Sequence, residues 1–187
     1  MRQTYKIGVI VGSLRQASIN RRLAEAMVKL APSHLSFEFI GLEALPMYNG
    51  DLEADRPSSV NAFTHAVAAC DGLMIVTPEH NRSLPAVLKN AIDWGSKPME
   101  ANVWANQPVV ICGTSPGAMG TIAAQLHLRQ ILGVLNAQVV GGEAYIQFKP
   151  DLLDDSGAIA VEGTRKFLSA YLERFGQLVL QLRADAG

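Results

Sequence analysis

The nine residues Gly12-Ser13-Leu14-Arg15-Gln16-Ala17-Ser18-Ile19-Asn20 follow an apolar run at 7–11 and lead straight into a helical pattern. A turn that carries a strand into a helix leaves backbone N–H groups unpaired at the helix N-terminus, where the peptide dipoles also favour negative charge. Around that point the chain places a guanidinium (Arg15), two hydroxyls (Ser13 and Ser18) and an amide (Asn20). Such a set suits a doubly charged terminal phosphate. No Lys-Ser/Thr pair stands at the spacing of a nucleoside triphosphate loop, and the G-x-G-x-x-G of dinucleotide loops is missing. The expected ligand is therefore a phosphate monoester, as in flavin mononucleotide. An ordinary strand-to-helix turn with a serine cap is the competing account of the same residues.

A second segment, 77–94, begins where a central apolar run ends. Pro78 stiffens its start, and the backbone amides around Glu79, His80 and Asn81 could donate to the carbonyls and ring nitrogens of a flat heterocycle. A third loop, 114–120, has Ser115, Gly117 and Gly120, small residues that let backbone approach a ring closely. None of the three loops contains an obvious nucleophile or triad, and no His/Asp/Glu cluster has metal-ligand spacing. Cys70 and Cys112 lie far apart in apolar surroundings, which favours buried free thiols and a reducing compartment.

These loops need a scaffold that brings them to one edge. Apolar runs of strand length at 5–11, 36–41, 72–77, 108–113 and 138–142 alternate with helical patterns at 18–30, 58–70, 84–94, 121–135 and 158–182. That alternation marks βαβ units around a parallel sheet. The expectation is an α/β, flavodoxin-like three-layer sandwich. It has a five-stranded parallel sheet in the order 2-1-3-4-5, helices on both faces, and one domain over 1–187. In that order ligands sit beyond the carboxyl ends of the strands at the switch point, where all three polar loops fall. The irregular stretch 45–59 is read as a lid or a subunit contact. On the fourth helix, Ile122, Leu126, Leu128, Ile131, Leu132, Val134 and Leu135 spread around more circumference than a one-sided helix needs. Part of it, with Leu128 as an outward position, is expected to face another subunit.

A net charge of −1 over 187 residues lacks the field of a protein that tracks nucleic acid or an anionic membrane, so the expected partner is a small molecule. The N-terminal residues run into the first strand with no signal-peptide pattern, and no apolar run reaches membrane-spanning length. A cytoplasmic location is expected.

Two motifs together resemble the NADPH-dependent FMN reductase family, in its branch of bacterial chromate and quinone reductases. Gly12-Ser13-Leu14-Arg15-x-x-Ser18-x-Asn20 is similar to the family's phosphate loop. Pro78-Glu79-His80-Asn81 with Leu88-Lys89-Asn90-Ala91-Ile92-Asp93-Trp94 is similar to its isoalloxazine loop and following helix. The resemblance runs over about residues 5–145. It implies bound FMN and homodimers or homotetramers. It also implies two-electron transfer from NADPH or NADH to a small-molecule acceptor such as a quinone, chromate, a nitro or azo compound, or free flavin. Catalysis then resides on the cofactor, and the absence of a side-chain catalyst is no objection. The chain departs from the family in having His80 for the usual tyrosine and Ala86 for the usual glycine, which bears on nucleotide preference and acceptor range. The rival reading, a single-electron carrier on the same fold, fits poorly, because such carriers are strongly acidic for docking and this chain is near neutral.

Overall fold

The structure, a computed structural model, describes residues 3–184. Met1 and Arg2, included above in the reading of the N-terminus, lie outside that range, as do residues 185–187 of the expected 1–187 domain. Strands Tyr5–Val11 (β1), Leu35–Ile40 (β2), Gly72–Val76 (β3), Pro108–Ser115 (β4) and Gln138–Val139 (β5) pair in parallel in the order β2-β1-β3-β4-β5. This is the expected flavodoxin-like order. Helices Ile19–Leu30 (α1), Ser58–Ala68 (α2), Ala86–Gly95 (α3), Ile122–Val134 (α4) and Glu162–Ala184 (α5) cover both faces.

Alternation along the central strands sorts side chains between two cores. Ile7, Val9, Met74 and Val110 meet Leu23 and Met27 of α1 and Leu168, Tyr171 and Phe175 of α5. Ile10, Leu73, Ile75 and Ile111 meet Val67 of α2, Leu88 and Ile92 of α3, and Leu128 and Leu132 of α4. Both thiols are free and buried, and burial pushes Cys112 up to about 12.

Several expectations need correction. The fifth strand does not run through 138–142. It stops after Val139 and resumes as a separate strand, Tyr145–Gln147 (β6), which pairs with the far end of β4 at Gly113–Ser115. The excursion between the halves exposes carbonyls that distant side chains satisfy. Arg129 donates to Val140 at 3.2 Å and also to Gly142, while Gln125 donates to Ala144 at 2.9 Å. Secondly, α3 starts at Ala86 rather than 84 with Pro85 as its cap position, because Ser83 is used in a backbone pair with His80. Likewise α5 starts at Glu162 rather than 158, because Leu153 and Ile159 first form a small antiparallel bridge. Thirdly, Leu128 is fully buried in the core. The outward apolar residues of α4 are Leu126 and Val134, the latter 82% exposed.

The 45–59 connection is pinned across α3. The Pro46 carbonyl accepts from Asn90 Nδ2 at 2.9 Å and Trp94 Nε1 at 2.8 Å, and Tyr48 N–H donates to Asn90 Oδ1 at 2.7 Å. Among the described residues no helix is long and apolar enough to cross a membrane.

Candidate cofactor site

The carboxyl ends of β1, β3 and β4 deliver three loops to one rim, at 12–18, 77–85 and 116–121. Between the first two lies a cleft of about 430 Å³ lined by Gly12, Ser13, Leu14, Arg15, His80, Pro85, Ala86 and Val87. Its chemistry is divided. The 12–15 side brings the exposed Arg15 with Ser13, and the 80–87 side brings the apolar residues Pro85, Ala86 and Val87. Among the described residues no carboxylate lines it.

The Arg15 side of the cleft is built by the start of α1. Ser18 has extended backbone and its hydroxyl accepts from Arg21 N–H at 3.2 Å, a side-chain N-cap that lets the helix begin directly behind the loop. The first turn of α1 carries no acidic residue that would compete with a bound anion. Among the described residues the backbone N–H groups of Leu14, Gln16 and Ala17 make no internal hydrogen bond, and Arg15 has no ion pair. Free donors around an unpaired guanidinium are the fit expected for a phosphate monoester.

Asn20 is set back from this cleft. It is 2% exposed, and its amide makes a two-way clip to the end of β4: Nδ2 donates to the Thr114 carbonyl at 2.9 Å and Oδ1 accepts from Thr114 N–H at 2.9 Å. The spacing of Ser18 and Asn20 suggested direct ligands. In this structure the first caps a helix and the second ties two loops together.

On the other side, in the 77–85 loop, the chain turns tightly. His80 N–H donates to Ser83 O and Ser83 N–H to His80 O, both at 2.9 Å, around Asn81 (φ 49°) and Arg82 (φ 63°). Two left-handed residues inside a two-residue turn are the type I′ geometry, which favours asparagine at the first position and glycine at the second. Arg82 therefore sits where a side chain costs energy. Pro78 is half-buried, with Thr77 Oγ1 donating to its carbonyl at 2.8 Å. The Glu79 carboxylate is turned into the protein and is absent from the cleft lining.

The third loop folds on itself. Ser115 Oγ donates to the Gly120 carbonyl at 2.7 Å and contacts that of Gly117 at 3.4 Å. Gly120 (φ +56°) packs where an added Cβ would come within 3.1 Å of the β6 backbone. Gly117 is exposed at the loop tip. These three residues shape the adjoining rim, and none lines the cleft. Sequence reasoning missed Pro85, Ala86 and Val87 as its wall. Val87 read as part of the core face of this helix and Pro85 as a first-turn residue, and both line the cleft together with Ala86.

A family model described as NADPH-dependent FMN reductase matches residues 5–151. The chain belongs to that family. The reductase is 45% identical over 179 residues to a 2-hydroxy-1,4-benzoquinone reductase of Burkholderia sp, covering 95% of this chain and 98% of the relative. It is 41% identical over 186 residues to a quinone reductase of Pseudomonas putida, covering 98% and 100%. Among solved structures it superposes with a TM-score of 0.91 on FerB, a flavoenzyme NAD(P)H:(acceptor) oxidoreductase of Paracoccus denitrificans. The two are 36% identical, with 95% of this chain and 98% of that one covered. FMN as cofactor and NAD(P)H as electron donor go with the family, and the cleft's residues fit the former: a guanidinium with free N–H groups suited to a phosphate, and apolar side chains suited to a ring.

Proposed function

We propose that this reductase takes two electrons from NADPH or NADH and delivers them to a quinone, with chromate, nitro or azo compounds and free flavin as further acceptors. The observation that carries this reading is the divided cleft, set beside the quinone reductase names of relatives that match nearly the whole chain. FMN, when bound, accepts a hydride and passes on two electrons. The chain's own residues bind and orient it. Ser13 and Arg15 grip the phosphate, Ser18 and Asn20 hold the loop that presents them, and 78–81 offers backbone and the His80 ring to the isoalloxazine. Ser115, Gly117 and Gly120 close the rim beside it.

The loops 78–81 and 115–120 would cover one side of the ring, and nicotinamide and acceptor would then use the same remaining side in turn. The nucleotide leaves before the quinone arrives, and the quinone takes two electrons and two protons to become a hydroquinone. Double-reciprocal plots with NADPH or NADH varied at several fixed quinone concentrations should be parallel lines. Intersecting lines with a demonstrable ternary complex would sink the shared-side scheme. Electron delivery only to a protein acceptor would favour the carrier reading.

Assembly into dimers or tetramers is proposed through the outward face of α4, supported by exposed Leu126 and Val134. Val134→Glu should lower the mass found by light scattering, and an unchanged mass would exclude this face. Leu128 is unsuitable for that test, since a charge there would be buried without a partner and would unfold the chain. A cytoplasmic location is proposed, supported by the two buried free thiols.

A further inference from the structure

Glu79 stands directly before the His80–Ser83 turn, and its side chain is 11% exposed. Its Oε2 accepts from the backbone N–H of Ala123 at 2.9 Å and of Ala124 at 3.3 Å, both in the first turn of α4. Oε1 lies 3.4 Å from Arg82 Nη1, a guanidinium that is 74% exposed and correspondingly weakly held.

The first turn of α4 has no capping side chain of its own. Thr121 makes no cap hydrogen bond, because its Oγ1 accepts from Gln125 Nε2 at 3.0 Å, and the first turn contains no acidic residue. The anion that a helix N-terminus favours is thus supplied from a loop 44 residues earlier in the chain. A second, exposed link joins the same turn to the same helix, Ser83 Oγ to His127 Nδ1 at 3.0 Å. Of the two, the link through Glu79 is charge-assisted and shielded from water, so it is the stronger.

The turn itself needs outside support. The paired His80 and Ser83 amides fix its shape but not its height above the sheet, and Arg82 in a left-handed conformation strains it. The N–H groups of Asn81 and Arg82 make no internal hydrogen bond among the described residues, and both residues are exposed. Where the turn sits decides where those donors and the His80 ring meet a ligand in the cleft.

We infer that Glu79 is a positioning residue for the flavin: by capping α4 it sets the height of the His80–Ser83 turn against the isoalloxazine, without touching the ring through its carboxylate. The inference rests on the cleft being the FMN site. It also makes α4 part of the cofactor's support, so that a change at the start of that helix reaches the flavin loop through one side chain.

The test measures FMN dissociation constants by flavin fluorescence on the apoprotein, for wild type, Glu79→Ala, Glu79→Gln and Arg15→Ala, at a temperature where far-UV circular dichroism shows each folded. Glu79→Ala should bind FMN at least tenfold more weakly. Glu79→Gln keeps an oxygen within reach of the same two N–H groups and should recover most of that loss. A lowered melting temperature with an unchanged dissociation constant in Glu79→Ala would make the residue a helix cap and nothing more, and the proposal would fall. Arg15→Ala separates the two levels. If it too leaves FMN binding unchanged, the cleft is not the FMN site; if it weakens binding while Glu79→Ala does not, only the role of Glu79 is lost. Should Glu79→Ala not fold, Glu79→Asp takes its place. Asp keeps the charge but loses a methylene of reach, so Gln must bind FMN more tightly than Asp, and the reverse order would overturn the inference.

Discussion

The two ends of the cleft are built on opposite plans. At the end proposed for the phosphate the functional groups are left unpaired: among the described residues Arg15 is exposed without an ion pair, and the loop N–H groups of Leu14, Gln16 and Ala17 make no internal hydrogen bond. Rigidity there comes from behind, through the Ser18 cap and the Asn20–Thr114 clip. At the ring end the loop is tied within itself and, through Glu79 and Ser83, to α4. A charged ligand group can be gripped by free donors that close on it, whereas a flat ring is recognised by shape and needs a surface already in place.

The largest expected effect breaks the ring end alone. Gly113 of β4 has Thr77 O where a Cβ would stand at 2.1 Å and Thr121 Oγ1 at 2.2 Å, so Gly113→Ala must push apart the roots of both ring-side loops. A loss of about 3 kcal/mol or more in urea unfolding is expected, with the phosphate end no longer sufficient for FMN uptake. Retention of wild-type stability would mean that these loops move freely.

Arg15→Ala should act in the opposite manner. It should weaken FMN binding by about 1.5–3 kcal/mol, the range for a hydrogen bond to a charged group, while the apoprotein melts at the wild-type temperature. Equal dissociation constants would remove Arg15 from the site. Asn20→Ala sharpens the contrast from the same end, because it strips both partners from the buried Thr114 backbone. A stability loss of about 1–3 kcal/mol is expected, accompanied by weaker FMN binding. A change in binding without one in stability would make Asn20 a ligand instead of a clip.

The smallest effect has the reverse sign. Arg82→Gly relieves a left-handed side chain and gives up only an exposed ion pair, so the protein should gain about 0.5–1 kcal/mol. A decrease in stability would show that the Arg82 contact to Glu79 outweighs the strain.

Much of this arrangement was legible from local pattern. The apolar runs at 5–11, 72–77 and 108–113 are central strands buried on both faces, and the helical pattern at 18–30 places α1 to within a residue. What stayed hidden depends on partners far away in sequence. Nothing local to 138–142 announces that Arg129 and Gln125 will hold open a gap in the strand. Asn20 reads as a ligand until Thr114, 94 residues on, takes both its amide atoms. Leu128 looked outward because the apolar residues of α4 cover most of its circumference. Which arc faces the sheet is set by the angle at which the helix packs, and the pattern does not encode that angle.

The interrupted fifth strand also bears on how the molecule behaves in a crowded solution. An open parallel sheet ends in a row of unpaired peptide groups that can recruit an extended segment from another chain. Here the terminal ladder consists of two residues at Gln138–Val139 and three at Tyr145–Gln147, offset by an excursion whose carbonyls are already claimed by Arg129 and Gln125. A foreign strand finds no continuous register to copy on that side, so the break guards the sheet against edge-to-edge aggregation while leaving β4 paired along both halves.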